Sequence, residues 1–295
     1  MQTAAALSLN WPSAFIGLVC SFLVALLIVL TKKWHGRLTL DAPQGIQKFH
    51  TTPTPRIGGL ALAVGFVAAW AFLPIGSSSQ YLLGLLLLGA IPAFGFGLAE
   101  DVTKRIGVKT RLIATISSGL IAALLTGYWV QFVNVPGLDL LLALAPVGIL
   151  FTAFAVGGLA NGVNIVDGFH GLAGGVVVLM LATLATIAWR VDDLVIIQLA
   201  LLGVSVTLGF LFINYPRGHL FLGDAGAYFL GYYVAMLGVM LAMRNPVEVS
   251  PWAILLVCGY PVIETLFSIY RRLTRKRNHN PGSPDASHLH SLVYR

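Results

Sequence analysis

Charged residues are scarce in this sequence, and their scarcity excludes most soluble folds. Only 10% of the 295 residues are Asp, Glu, Lys or Arg, whereas a soluble domain carries about 25%. Hydrophobic residues make up 57% of the chain, and the mean hydropathy is +0.86. The apolar residues form long runs without the alternation of barrel strands, so the sequence predicts an all-α, polytopic membrane protein.

Cysteine is almost absent. The only two cysteines, Cys20 and Cys258, both lie inside apolar runs. This number and placement exclude a disulfide framework and a cysteine-based zinc site.

About 20 apolar residues are needed to cross the hydrocarbon core of a bilayer as a helix. The first run lacks a basic leader and is followed by Lys32 and Lys33, so we expect an uncleaved span rather than a signal peptide. We predict one integral-membrane domain over 1–295, with a basic tail at 271–295. Its nine predicted spans lie near 13–31, 57–75, 80–98, 112–130, 141–160, 172–189, 194–213, 227–243 and 251–270.

The net charge of +7 is unevenly distributed. Sixteen of the 18 Lys and Arg residues fall in 32–56, 100–111, 214–226 and the tail, whereas Arg190 and Arg244 lie on the opposite side. The positive-inside rule places the crowded side in the cytoplasm, with the N-terminus outside. The basic charge therefore indicates topology in a lipid bilayer, and we expect no nucleic-acid partner.

The stretch 161–175 is unusually polar for its apolar surroundings. Asn161, Asn164, Asp167 and His170 are spaced by threes, which brings side chains close together on a helix. The glycines among them permit a break in the helix. The pattern predicts a polar pocket at a membrane boundary, although a plain glycine-rich loop would also fit.

Acidic residues mark two further loops on the same predicted side. Glu100 and Asp101 end an apolar run beside four cations; adjacent carboxylates repel unless a metal or cation holds them. Asp224 lies between Gly223 and Gly226, where backbone N–H groups and a carboxylate can approach a phosphate or its metal. The structural alternatives are a salt-bridged helix end and a helix cap, respectively.

Basic residues accompany these acids. Lys48, His50 and Arg56 surround two prolines, and His288 and His290 lie in the tail. Lipid headgroups would also attract such a basic loop. Carboxylates, cations and a membrane boundary together suggest phosphoryl chemistry on a lipid, because Mg²⁺ takes one or two carboxylates plus substrate phosphates.

The competing class is a transporter or flippase for a lipid-linked or anionic substrate. That class is expected to carry ionisable groups at mid-membrane and interrupted spans. Here the polar residues crowd one face, although Glu264 lies within the ninth run, where an interfacial ion pair with Arg271 is equally consistent.

Five stretches, in order, resemble the polyprenyl-phosphate N-acetylhexosamine-1-phosphate transferases (glycosyltransferase family 4): 50–59, 97–101 with 111–112, 161–175, 221–226 and 288–290. That family includes the peptidoglycan enzyme phospho-N-acetylmuramoyl-pentapeptide transferase and the N-acetylglucosamine-1-phosphate transferases that start O-antigen and teichoic acid synthesis. The sequence resembles the second branch more, because its tail lacks a triple histidine.

The resemblance implies transfer of a sugar-1-phosphate, N-acetylglucosamine-1-phosphate or a related one, from a UDP-sugar to undecaprenyl phosphate. UMP would be released, and Mg²⁺, or alternatively Mn²⁺, would be required. The implied location is the bacterial inner membrane, with the active site in cytoplasmic loops; a homodimer is left open.

The resemblance also assigns residues. It implies a metal site at Asp224 and Asn164 and catalytic roles for Glu100, Asp101 and Asp167. The implied substrate-binding residues are Lys48, His50, Arg56, Asn161, His170, Arg217, His288 and His290.

This sequence departs from the family pattern at several positions. Glu100 replaces an aspartate, His170 replaces an acidic or amide residue, and Ala227 stands where serine is common. Relatives also usually continue into at least one more span beyond the equivalent of Arg295.

Overall fold

A computed structural model describes residues 9–41 and 53–274 and confirms the predicted all-α, polytopic membrane fold. The helices of the amino-terminal half are α1 (Trp11–Leu30), α2 (Lys32–Thr39), α3 (Gly59–Ala71), α4 (Ser78–Gly89), α5 (Ile91–Thr103), α6 (Val108–Thr126) and α7 (Leu138–Leu142). Those of the other half are α8 (Ala145–Val166), α9 (Leu172–Arg190), α10 (Leu194–Asn214), α11 (Gly223–Arg244), α12 (Pro251–Val257) and α13 (Gly259–Thr274).

Each of the nine predicted runs contains helix, but not every run forms one full span. In the described part of the chain, six helices are long and apolar enough to cross a membrane, or eight if each bent pair forms one span. The bent pairs are α4 with α5, at 47°, and α12 with α13, at 76°. These two interruptions are absent from the sequence prediction.

Helix α3 is shorter than the predicted span over 57–75, and a different feature marks each of its ends. At its start, the N–H groups of Gly58 and Gly59 donate to the carbonyls of Phe221 and Leu222, both at 2.9 Å. Shortly after its end comes Pro74, which lacks the N–H that a continuing helix requires. Its 13 residues rise about 20 Å, less than the hydrocarbon thickness.

Two helices extend beyond the spans that the sequence predicts. Helix α8 continues to Val166, and α11 begins at Gly223 rather than near residue 227. The predicted limits near 160 and 227 are wrong because local glycine content favours a loop, whereas contacts with neighbouring helices hold the backbone helical. The spacing of Asn161 and Asn164 does indicate a helix, and both residues lie on α8. Asp224 consequently lies in the first turn of a helix.

Helix α11 is the centre of the bundle. Nineteen of its 22 residues are buried, as expected for a helix that is apolar all round. The Phe66 ring of α3 lies 4.9 Å from Phe229 and 4.7 Å from Tyr233, centroid to centroid. The hydroxyls of Tyr232 and Tyr233 donate to the carbonyls of Leu86 and Leu199 at 2.9 and 2.8 Å, so neither is unsatisfied in the core.

A small antiparallel sheet pairs β1 (Leu40–Asp41) with β2 (Thr54–Pro55). Pro55 is one of the two prolines in the basic loop, and nothing in the sequence predicts this pairing. The Arg56 N–H donates to the Thr39 carbonyl, and the Phe221 N–H donates to the Pro55 carbonyl, both at 2.9 Å. The sheet therefore joins the α2–α3 connection to the start of α11.

Candidate functional site

The site lies at the end of the bundle where α5 and α8 end and where α6 and α11 begin. Its centre is Asp224, which is only 1% exposed. Arg56 and Arg111 each form an ion pair with one oxygen of the Asp224 carboxylate. Asn164 Nδ2 donates to Asp224 Oδ1 at 3.1 Å, and the Tyr228 hydroxyl lies 3.5 Å from Oδ2. Four segments of the chain thus meet at one carboxylate.

Arg56 links the two buried aspartates of the site. Besides its ion pair with Asp224, its Nε lies 3.4 Å from Asp101 Oδ1. The β-sheet fixes the Arg56 backbone. The short strand before α3 therefore positions the Arg56 side chain at the site.

Asp101 lies in the last turn of α5 and is fully buried. Its Oδ1 accepts a hydrogen bond from the Asp224 N–H at 2.8 Å, and its Oδ2 accepts one from the Ala225 N–H at 2.9 Å. Both oxygens are therefore occupied by the backbone of α11.

Glu100 points in a different direction from Asp101. Its Oε2 accepts a hydrogen bond from the Ile106 N–H at 2.7 Å in the α5–α6 loop. The adjacent carboxylates are thus held by different groups, one by the start of α11 and one by the loop that leads to Arg111.

The four residues of the 161–170 pattern separate in the structure. Asn164 reaches Asp224, whereas Asn161 Nδ2 donates to Thr115 Oγ1 and the Gly157 carbonyl, both at 2.8 Å. Asn161 therefore joins α8 to α6. His170 lies exposed in the turn after α8.

Asp167 occupies the turn at the end of α8. Burial raises the pKa of the Asp167 carboxyl to about 7; the Arg56 charge opposes this shift and the Asp224 charge adds to it. This carboxyl therefore exchanges a proton near neutral pH, a property suited to acid–base chemistry.

Asn214, at the end of α10, connects two loops beside the site. Its Oδ1 accepts a hydrogen bond from the Gly171 N–H at 2.5 Å, and its Nδ2 donates to the Leu220 carbonyl at 2.7 Å. Arg217, in the following loop, is exposed. No pattern in the sequence singles out Asn214.

Two more residues at Asp224 are missing from the predicted site. Arg111 appears in the sequence analysis only as part of a motif, and Tyr228 does not appear. Tyr228 follows Asp224 by four residues, so helix periodicity would have pointed to it had the helix start been predicted correctly. Lys48, His50, His288 and His290 lie outside the described residues.

The donor groups fit a magnesium ion that shares its coordination with substrate. In the part of the chain that the structure describes, no group of three or more His, Cys, Asp or Glu side chains could enclose a metal. Mg²⁺ does not need such a cage, because one or two carboxylates plus substrate phosphates are its usual ligands. Asp224 supplies one such carboxylate, and the Asn164 side chain, whose NH₂ group donates to it, lies beside it.

The sequence matches known proteins over most of its length. The sequence model of the family described as glycosyl transferase family 4 matches residues 83–242. The chain is 30% identical over 281 residues to the probable undecaprenyl-phosphate N-acetylglucosaminyl 1-phosphate transferase of Bacillus subtilis, a match that covers 93% of this chain and 76% of that protein.

Two enterobacterial proteins match over similar lengths. The undecaprenyl-phosphate alpha-N-acetylglucosaminyl 1-phosphate transferase of Escherichia coli K12 is 24% identical over 294 residues, covering 97% of this chain and 78% of that protein. The protein of the same name from Salmonella typhimurium is 25% identical over 292 residues, covering 96% and 77%. Since the family match spans more than half of the sequence and the relatives match nearly all of it, the chain belongs to glycosyl transferase family 4.

Proposed function

We propose that this protein transfers N-acetylglucosamine-1-phosphate, or a related N-acetylhexosamine-1-phosphate, from a UDP-sugar to undecaprenyl phosphate and releases UMP. The observation that carries the proposal is the Asp224 carboxylate, buried between Arg56 and Arg111 at one end of a membrane-spanning bundle. The names of the relatives support the lipid acceptor and the sugar. The product would start synthesis of a cell-envelope polysaccharide such as O-antigen or another lipopolysaccharide component.

The reaction brings two anions together. An oxygen of the lipid phosphate must form a bond to the phosphorus attached to the sugar, and the bond from that phosphorus to UMP must break. Phosphoryl transfer requires mainly positioning and charge stabilisation from the protein. The guanidinium groups of Arg56 and Arg111 supply positive charge at the point where these phosphates would meet.

Mg²⁺, or Mn²⁺ in its place, would be held by Asp224 with Asn164 beside it. When bound, the ion would reduce the repulsion between the phosphates. Without the ion, the Asp224 carboxylate is held by Arg56, Arg111 and Asn164, so a cation that binds it would have to displace part of these contacts.

The other predicted site residues are proposed to act on the substrates around Asp224. We propose that Glu100 and Asp167 act on protons or charge at the lipid phosphate. Contacts with nucleotide, pyrophosphate and sugar are proposed for Lys48, His50, Asn161, His170, Arg217, His288 and His290.

We further propose that the site faces the cytoplasm, where UDP-sugars are made. The basic residues of the α5–α6 loop, with Arg217, support this orientation. Single cysteines placed at Lys109 and Arg217, after replacement of Cys20 and Cys258, are expected to resist an impermeant reagent in intact cells and to react after lysis. Ready labelling in intact cells would overturn the orientation.

A flippase remains the second candidate, because the bent pairs α4–α5 and α12–α13 and the buried Glu264 are features expected of that class. A transport protein would move a lipid-linked substrate without making a new bond. The two functions therefore differ in their products.

The test is to incubate purified protein with undecaprenyl phosphate, Mg²⁺ and a panel of radiolabelled UDP-N-acetylhexosamines. We expect a lipid-linked labelled product and UMP, both dependent on the lipid, and reversal when UMP is added. Release of UDP would indicate a different class of glycosyltransferase. Transfer undiminished in EDTA would exclude the metal requirement, and translocation without bond formation would favour the flippase.

A further inference from the structure

We infer that Asp101 is a positioning residue, which fixes the first turn of α11 and thereby the direction of the Asp224 carboxylate. Its two oxygens accept the N–H groups of Asp224 and Ala225 at 2.8 and 2.9 Å. These donors are among the first N–H groups of α11, which have no partner within the helix. Usually the residue preceding a helix supplies this cap; here a residue 123 positions earlier supplies it. The inference rests on the proposed function of Asp224.

Small residues make this long-range cap possible. Gly97 lies one turn before Asp101 on α5, and a Cβ there would come within 2.7 Å of the Ala225 N and Cα atoms. Gly223 has a φ of +76°, and a Cβ on it would lie 2.6 Å from Asp101 Oδ2 and 2.3 Å from the Arg56 carbonyl oxygen. The backbones of α5 and α11 are therefore in direct contact, and the Asp101 carboxylate lies between them, close enough to accept the two N–H groups.

The same contacts argue against direct contact between Asp101 and substrate. Asp101 is 0% exposed, and its Oδ1 also faces Arg56 Nε at 3.4 Å. A group that takes a proton from a lipid phosphate must reach that phosphate within hydrogen-bonding distance. Asp101 would have to release the start of α11 to do so, and the Asp224 backbone would then lose its hydrogen bond.

Three variants of the full-length protein separate positioning from direct action. Asp101→Asn keeps the shape, but its amide NH₂ cannot accept the second N–H. Gly97→Ala inserts a methyl into the same contact and removes no ionisable group. Gly95→Ala is the matched control, because a Cβ at Gly95 would meet nothing within 4 Å.

Each variant is measured by hydrogen–deuterium exchange of the Asp224 and Ala225 amides and by the pH–rate profile of UMP release. In Asp101→Asn and Gly97→Ala, we expect exchange at least about tenfold faster, because a buried N–H loses its acceptor or its alignment. We expect kcat to fall by about 10- to 100-fold, as is usual when a supporting contact to a functional group is lost. The midpoint of the pH–rate profile stays at the wild-type value, and Gly95→Ala matches wild type in both measurements.

The inference is overturned if Asp101→Asn loses one limb of the pH–rate profile, whatever its exchange rate, because that loss would identify Asp101 as a proton carrier. It is also overturned if exchange in Asp101→Asn stays at the wild-type rate. If Gly97→Ala does not fold, Asp101→Asn alone decides. Should the wild-type protein release no UMP, the proposed function fails, and the exchange rates still show whether Asp101 holds the start of α11.

Discussion

Arg111, in the first turn of α6, donates a hydrogen bond to Oδ2 of Asp224, 113 residues later in the chain. The Arg111 guanidinium is mostly buried, and its Nε has no partner among the described residues. Arg111 therefore neutralises the carboxylate while keeping one donor uncommitted. A divalent cation that binds Asp224 must compete with this guanidinium.

Replacing Arg111 with Gln is accordingly expected to tighten the binding of Mn²⁺ alone to the protein. Loss of a competing charged hydrogen bond corresponds to at least about a tenfold fall in Kd. Mn²⁺ titration followed by electron paramagnetic resonance, without substrate, measures this directly. Lys109→Gln removes an exposed cation from the same turn and is expected to leave Kd unchanged. Weaker Mn²⁺ binding in Arg111→Gln would show that Arg111 supports the ion rather than competing with it.

Asp167 predicts a pH dependence of activity. Since burial raises its pKa to about 7, the carboxyl is protonated below that pH and ionised above it. If the ionised form acts on the lipid phosphate, kcat/KM rises as pH increases from 6 to 8, and Asp167→Asn abolishes this limb. Glu248→Gln, an exposed carboxylate change at the other end of the bundle, should keep it. An unchanged limb in Asp167→Asn would assign the titration to another group.

A second ion pair stabilises the opposite end of the bundle. Arg244 Nε donates to Asp193 Oδ2 at 2.7 Å, and Asn245 Nδ2 donates to the same oxygen at 3.1 Å. Burial acts to raise the pKa of Asp193, but these hydrogen bonds outweigh burial and hold the pKa below its ordinary value. The ionised carboxylate therefore stabilises the fold at neutral pH, and this contribution is lost as pH falls from the ordinary value through the folded one.

Asp193→Asn is thus expected to lower the free energy of unfolding at pH 7 by roughly 1–3 kcal/mol. The difference in the free energy of unfolding between Asp193→Asn and wild type should become smaller as pH is lowered from 5 to 3. Thermal unfolding in detergent, monitored by circular dichroism, gives the comparison. The neighbouring Asp192→Asn, at an exposed position, serves as the control. A deficit that persists unchanged at pH 3 would rule out the charge as its source.

The sequence predicts the membrane fold and most of the helices because the thickness of the bilayer requires long apolar runs. Such runs can be recognised in the linear sequence without knowledge of contacts between distant segments. Asp224, Asn164 and Arg56 also stand out in the sequence as polar residues beside apolar runs. In the structure, Arg56 and Asn164 both contact Asp224. The resemblance to a family added the assignment to transferases, and the comparisons confirm that assignment.

Other features depend on contacts between distant segments. The starts of α3 and α11 coincide with backbone N–H groups that bond outside their own helix. The bend between α12 and α13 interrupts an apolar run that the sequence presents as continuous. Asn161 and Asn164 look alike in sequence, yet one joins α8 to α6 and the other reaches Asp224. Spacing along a helix places both asparagines nearby but does not specify which neighbour each side chain meets.

The most direct test of the account is the turnover of purified Asp224→Asn. This change keeps the side-chain shape and removes the charge that Arg56, Arg111 and the metal would share. Losing one strong electrostatic contact to a transition state typically lowers the rate by about 10²–10³. We expect kcat for UMP release to fall by at least that factor, with a normally folded protein and weaker dependence on Mg²⁺. A folded Asp224→Asn protein that turns over near the wild-type rate would contradict the account and leave Asp224 with a purely structural role.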